Sequence, residues 1–305
     1  MTDAIAIPRN LMLAVDSQGA CEDALLAALW LARALPAELE YVHAFPPRPI
    51  LWGKASQAAE WEAGTEAAAE ALREQLTHIA ARAPEALLPL APLHLERLDV
   101  VSAHAATRIV ARARERESDL LLLGPHTPRP GFDFGGTVRA VLSRAPCPVW
   151  IQPRPARVLR HIAVATDLSA HALRALEFGL ALGSRLDARV TAVHVFEPPV
   201  LGAPEGYSAA PVYVLEDAER SARGSFEEQL GALEASRPGL SHEFVRGGAV
   251  DSILALEERF DLVVMGSHGH TGFAAALLGS VTHAVARRIR APLCVVPDLE
   301  RRFLH

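Results

Sequence analysis

The sequence predicts an α/β protein built as two tandem, doubly wound domains, and three observations carry that expectation. Short apolar runs alternate with longer helical patterns along the whole chain, which implies parallel strands joined by right-handed crossovers. Four landmarks occur twice in the same order, so the second half repeats the first. The length of 305 residues suits about two domains of ordinary size.

The landmarks can be read directly. Leu11-Met-Leu-Ala-Val-Asp16 is echoed by Ile162-Ala-Val-Ala-Thr-Asp167, and Glu40-Tyr-Val-His43 by Thr191-Ala-Val-His194. Ser118-Asp119 followed by four leucines and Gly124 is echoed by Phe260-Asp261-Leu-Val-Val-Met-Gly266. Pro148-Val-Trp-Ile-Gln-Pro153 is echoed by Pro292-Leu-Cys-Val-Val-Pro297. The domains are expected at 1–153 and 158–305. Between them, Pro153-Arg-Pro-Ala-Arg157 has linker chemistry, because proline stiffens the chain and cannot donate to a strand ladder.

In order, the first copy is expected to place strands near 11–15, 38–45, 93–98, 119–124 and 148–152. Its helices are expected near 20–35, 56–82, 102–116 and 137–144. The second copy is expected to place strands near 161–166, 189–196, 241–246, 261–266 and 292–297, with helices near 169–185, 213–236, 249–259 and 280–290. The loops 46–55 and 197–211 are rich in proline and glycine. They suit either a mobile flap over a ligand or a plain surface loop.

The stretch from Asp261 to Pro297 carries the most chemistry. A short apolar run, Leu262-Val263-Val264-Met265, leads into Gly266, Gly269 and Gly272 and then Gly279-Ser280. A helical pattern follows through Val281, Ala284, Val285 and Ile289, and a further apolar run starts after Pro292. Glycines let main chain approach an anion closely, and Gly279-Ser280-Val281 would present N–H groups at a helix start. Such sheets bind ligands at the carboxyl ends of their strands. No lysine sits in the loop, so this is not a Walker P-loop.

The run Gly266-Ser-His-Gly269, nine residues, then Gly279-Ser280 resembles the ATP-binding G-x2-G-x9-G-S/T signature of the universal stress protein family. The echoed landmarks extend the likeness over nearly the whole chain, as a tandem pair. The resemblance implies, for each domain, a five-stranded parallel sheet flanked by helices, of the adenine nucleotide alpha hydrolase-like type. It implies ATP, ADP or AMP as ligand, with magnesium arriving on the phosphates. Carried over residue by residue, Ala165, Thr166 and Val195 would line the adenine, and Asp167 would lie near the nucleoside. Met265, Gly266, His268 and Gly269 would hold ribose and phosphates, together with Gly279, Ser280, Val281 and Thr282. Asp167 has a second reading as a helix cap, a role that Ser169 can also fill. The family's domains commonly pair through their last strands, which here can happen within one chain, and two such chains can pair again as a homodimer.

The first copy departs from the motif. It reads Gly124-Pro125-His126-Thr127, losing the second glycine, and Pro125, Pro128 and Pro130 remove backbone donors. Gly136-Thr137 preserves the second gate one residue early, and Asp16 is retained. This copy is expected to bind nucleotide weakly or not at all and to serve as the built-in partner of the second.

Composition narrows the function further. The net charge of −6 argues against a general nucleic-acid or membrane-surface role, and Lys54 is the sole lysine. Cys21, Cys147 and Cys294 lie far apart without a CxxC and read as buried small residues of a reducing compartment. Thirteen histidines give no zinc-type spacing. His43 and His194, at matching positions in apolar strands, read as satisfied interior histidines. MTDAIAIPRN lacks the pattern of a signal peptide, and no apolar run reaches the ~18 residues that span a bilayer, so a soluble, cytoplasmic protein is expected. No catalytic residue is assigned. A loop without lysine or evident general base suits nucleotide-dependent regulation in a stress response better than fast phosphoryl transfer. Slow ATP hydrolysis and a non-binding scaffold are the alternatives.

Overall fold

The computed structural model describes residues 7–16, 21–46, 56–125, 136–198, 212–237, 239–269 and 278–297. The first half contains β1 (Asn10–Ala14), α1 (Glu22–Ala34), β2 (Glu38–Phe45), α2 (Ser56–Ala81), β3 (Leu98–Ser102), α3 (Ala105–Glu115), β4 (Leu120–Leu123), α4 (Gly136–Arg144) and β5 (Val149–Ile151). The second contains β6 (His161–Ala165), α5 (Ala170–Leu186), β7 (Arg189–Phe196), α6 (Val212–Ser236), β8 (Leu240–Arg246), α7 (Ala249–Ala255), β9 (Leu262–Gly266), α8 (Ser280–Arg288) and β10 (Leu293–Val296).

Each half is a parallel sheet of five strands, as expected, and the two halves pair through their last strands within the chain, as the resemblance implied. They form one ten-stranded sheet in the order β3-β2-β1-β4-β5-β10-β9-β6-β7-β8. The seam is the antiparallel pair β5–β10, in which Leu293 faces Ile151, Cys294 faces Trp150 and Val295 faces Val149. All the other strand pairs are parallel. The strands flanking the seam are buried along their whole length, which is why they read as continuous apolar runs rather than alternating ones.

Two cores sandwich the sheet. Leu25 of α1, Leu72 and Leu76 of α2, Leu176 of α5 and Phe226 of α6 belong to one, with Trp150 and Cys294 at its centre. Ile109 of α3, Val141 of α4, Ile253 of α7 and Val285 of α8 belong to the other, with Val149 and Val295 at its centre. Both cores run across the seam. Cys21, Cys147 and Cys294 are buried free thiols, and burial pushes the Cys294 thiol well above its ordinary range.

The two halves repeat each other in detail. Asp119 Oδ2 accepts from Arg9 N and Asn10 N at 2.9 Å each, and Asp261 Oδ2 accepts from Arg160 N at 2.8 Å and His161 N at 2.9 Å. Each aspartate thus caps the starting end of its domain's first strand. The linker is bolted down rather than free. Arg154 donates to the carbonyls of Glu257 and Phe260 at 3.3 and 3.2 Å, and Arg157 pairs with Asp261 at 2.9 Å.

One expected strand is displaced. Residues 93–98 were to form the third strand, but Leu95–Arg97 make a 3-10 turn and β3 begins at Leu98. Leu93 and Leu95 reach the core from an irregular segment, so their alternation imitates a strand. The helix expected over 249–259 ends at Ala255 and continues as a 3-10 turn over Leu256–Glu258. The loops 46–55 and 197–211 lie, apart from Pro46 and Glu197-Pro198, outside the described residues.

Trp150, 1 % exposed at the seam with its Nε1 donating to Gln152 Oε1 at 2.8 Å, is the strongest test of this arrangement. Trp150→Ala should cost about 3–5 kcal/mol in a denaturant melt and leave one cooperative transition, because both cores cross the seam. Acid should act through Glu243, whose carboxyl the Arg259 guanidinium at 2.8 Å holds below the usual carboxylate range. A depressed carboxylate stabilises above its unfolded value and loses that contribution as pH falls through the folded one. With Arg259 more than half exposed, Glu243→Gln should flatten the acid-side loss by less than about 1 kcal/mol, read from urea midpoints at pH 7 and pH 3.5.

Candidate functional site

The strand order reverses direction between β6 and β9, which are hydrogen-bonded neighbours with Ala165 opposite Met265. At such a switch point the chain leaves adjacent strands towards opposite faces and a crevice opens at the carboxyl ends. Here α5 departs to one face and α8 serves the other.

The β6 side of the crevice is built by three polar side chains acting in sequence. Thr166 N extends the ladder to Val193 O at 2.9 Å, and Thr166 Oγ1 accepts from Leu168 N at 3.1 Å. Asp167 Oδ1 accepts from Ser169 N at 3.0 Å, and Ser169 Oγ caps α5 by accepting from Ala172 N at 3.2 Å. Between them Leu168 sits at φ 65, a left-handed conformation that branched and bulky residues rarely adopt. The two side-chain bonds around it hold this sharp exit. Ser169, not Asp167, is therefore the helix cap, and Asp167 fastens the turn before it with one oxygen.

The other Asp167 oxygen explains a glycine. A Cβ at Gly269 would overlap Asp167 Oδ2, so any larger residue there would have to displace the carboxylate behind it. Gly266 is hemmed in as well, by the carbonyls of His268 and His171 at 3.1 and 3.3 Å from where its Cβ would stand. At Gly279 the same construction meets Ser267 O at 3.1 Å and the His268 Cα at 3.4 Å. Three of the motif's glycines are thus close-approach positions, not merely flexible ones.

The loop's two gates are tied together. Gly279 N donates to Ser267 O at 2.9 Å, and Thr282 Oγ1 donates to Gly266 O at 2.9 Å. Ser267 N donates to Val296 O at 2.8 Å, which anchors the loop to β10. Thr282 is buried and its hydroxyl hydrogen is engaged, so it enters as a clamp rather than as an open donor. His268 Nδ1 lies 2.9 Å from Ser267 Oγ, and its ring stands edge-on to His171 at 6.4 Å. Ser280 is exposed and Val281 half-buried at the start of α8, where Gly279 brings no side-chain cap. The first-turn N–H groups of such a helix lack intrahelical acceptors and carry the positive end of its dipole. Ala165, Met265, Val195 and Val281 pack on the same face of the sheet as α8, which gives the crevice an apolar wall.

Ser267 escaped the sequence reading, although it lies inside the quoted motif. Its N–H and its carbonyl hold the loop, and a serine beside a glycine carries no sign of burial. Residues 270–277 lie outside the described residues.

The first half keeps the frame and loses the loop. Val15 N bonds Val42 O at 2.9 Å just as Thr166 N bonds Val193 O, but a Cβ at Gly136 would meet nothing within 4 Å. Pro125, at the position of Ser267, has no N–H to anchor a loop to the last strand. His126, Thr127, Pro128 and Pro130 lie outside the described residues. Among the described residues no group of three or more His, Cys, Asp or Glu is placed to hold a metal, and no helix is long and apolar enough to cross a membrane.

The model of the universal stress protein family matches residues 8–153 and again 159–297. The chain belongs to the universal stress protein family. A universal stress protein of Mycobacterium tuberculosis is 31% identical over 119 residues, a match that covers 34% of this chain and 38% of that relative. One from Methanocaldococcus jannaschii is 28% identical over 140 residues, covering 45% of this chain and 81% of that protein. Among solved structures, a universal stress protein from Archaeoglobus fulgidus superposes with a TM-score of 0.65 at 18% identity, over 94% of this chain and 98% of that one. A putative universal stress protein from Pseudomonas aeruginosa gives 0.59 at 18%, over 98% of this chain and 96% of that one. The two structural likenesses extend across both domains and bear on the fold alone, whereas each sequence match covers less than half of the chain.

The approach of Asp167 to Gly269 can be tested by stability alone. Gly269→Ala should cost about 1–3 kcal/mol through overpacking. Combined with Asp167→Ala, which empties the contested volume, it should cost less than the sum of the two single changes in urea melts.

Proposed function

We propose that the second domain, within residues 158–305, binds an adenine nucleotide and that this universal stress protein acts as a nucleotide-dependent regulator in a stress response. The observation that carries this reading is the double clamp of the glycine loop: Gly279 N on Ser267 O and Thr282 Oγ1 on Gly266 O. It holds a helix start and a glycine turn side by side at the strand ends, where main-chain N–H groups can receive phosphates. The apolar wall of Ala165, Val195 and Met265 suits a purine, and Asp167, from the neighbouring strand end, suits the nucleoside's donors.

Each residue has a role in this reading. Gly266, Gly269 and His268 offer main chain to ribose and phosphates, Ser280 and Val281 offer the start of α8, and Thr166 and Thr282 support from behind. Magnesium accompanies the phosphates. The first domain lacks the second glycine and the loop anchor, so it takes no nucleotide and works as the fixed partner of the second.

Calorimetric titration with ATP and magnesium should give about one site per chain. Gly279→Val places side-chain atoms where Ser267 O and the His268 backbone already stand, and it should abolish binding while circular dichroism reports a folded protein. Unchanged affinity in the folded variant would sink the pocket assignment, and two sites per chain would restore the first domain.

A further inference from the structure

We infer that His194 is a positioning residue for the second-domain nucleotide site, an inference that rests on the reading just given. His194 Nδ1 lies 2.9 Å from the carbonyl oxygen of Thr166. A carbonyl can only accept, so Nδ1 carries the proton and donates. The bond crosses from β7 to the residue just past β6, the last ladder position before Asp167. Thr166 is 5% exposed, and beyond it comes the left-handed turn at Leu168. His194 thus fixes the peptide from which the Asp167 carboxylate is aimed at Gly269.

The ring itself is held. It stacks on Phe226 of α6 at 5.3 Å and 29°, and it leans on Phe244 of β8 at 5.4 Å. Phe244 packs in turn against Phe196 at 6.0 Å and carries the Arg223 guanidinium over its face at 4.3 Å. An imidazole wedged between two aromatic rings has little freedom to release its hydrogen bond. The placement of Asp167 is therefore set from the layer of α6 and β8, elements that contribute none of the proposed ligand contacts.

The other half of the chain supplies an internal control. His43 Nδ1 makes the same bond to Val15 O, at 2.8 Å, in the half whose motif has lost its second glycine. A purely structural role makes the two histidines equivalent. A positioning role makes only His194 matter to nucleotide affinity.

The test is ATP–magnesium titration of the full chain and four variants, each checked for folding by circular dichroism and thermal midpoint. His194→Asn keeps a donor at the Nδ1 position, whereas His194→Gln moves it one bond outward and His194→Leu removes it. All three lose the ring, so the contrast isolates the hydrogen bond. His194→Leu and His194→Gln should bind about tenfold more weakly, the loss of one such bond, and His194→Asn should stay within about threefold of the parent. His43→Leu should lower the thermal midpoint comparably and leave affinity unchanged. If His194→Leu fails to fold, His194→Gln against His194→Asn carries the comparison. Equal affinities of those two variants, or an equal loss of affinity in His43→Leu, would overturn the inference while leaving nucleotide binding intact. A parent protein that binds no nucleotide would overturn the functional reading and this inference together.

Discussion

The structure depends on the antiparallel pairing of β5 with β10. Each half-sheet ends in a strand buried on both faces, and such a strand left as an edge would expose apolar surface and unpaired backbone. Joining the two last strands covers both edges at once. It also merges two five-stranded sheets into one of ten with cores that run across the junction. The linker follows from this geometry. Arg154 and Arg157 hold it to the β9 side, so the halves are related by a fixed seam rather than by a tether.

On this shared frame the two halves have different loops. Ladder extension, strand-capping aspartate and interior histidine recur with nearly the same distances in both. What differs is the sequence between the fourth strand and the last helix. In the second half, glycines stand where a Cβ would press on neighbouring backbone or on the Asp167 carboxylate. In the first, Pro125 removes a donor and Gly136 faces open space. Duplication kept what the sheet needs and relaxed what the loop needs. The family is established for both halves, and the asymmetry between them lies in their loop residues.

Much of this could be read from the residues alone. Continuous apolar runs marked the buried central strands, and the twice-repeated landmarks marked the duplication. The glycine spacing marked the loop, and the matched His43 and His194 marked interior histidines, which the structure satisfies with strand-end carbonyls. The failures have physical causes. Leu93 and Leu95 alternate like a strand, yet they sit on an irregular edge segment, where packing of single side chains mimics period two. The clamp made by the Thr282 hydroxyl was not legible, because nothing local announces that Gly266 O, sixteen residues earlier, will receive it.

What the sequence by itself determined is therefore periodic or covalent: the order and kind of elements, the duplication, the glycine positions and the missing N–H of each proline. Those follow from side-chain spacing and from backbone chemistry that each residue carries with it. Only the tertiary structure decided the antiparallel register of the β5–β10 seam, that Ser267 is a buried anchor, and that Gly269 lies against the Asp167 carboxylate. Each of those is a contact between residues distant along the chain, and its existence depends on close packing in three dimensions, which no local pattern encodes.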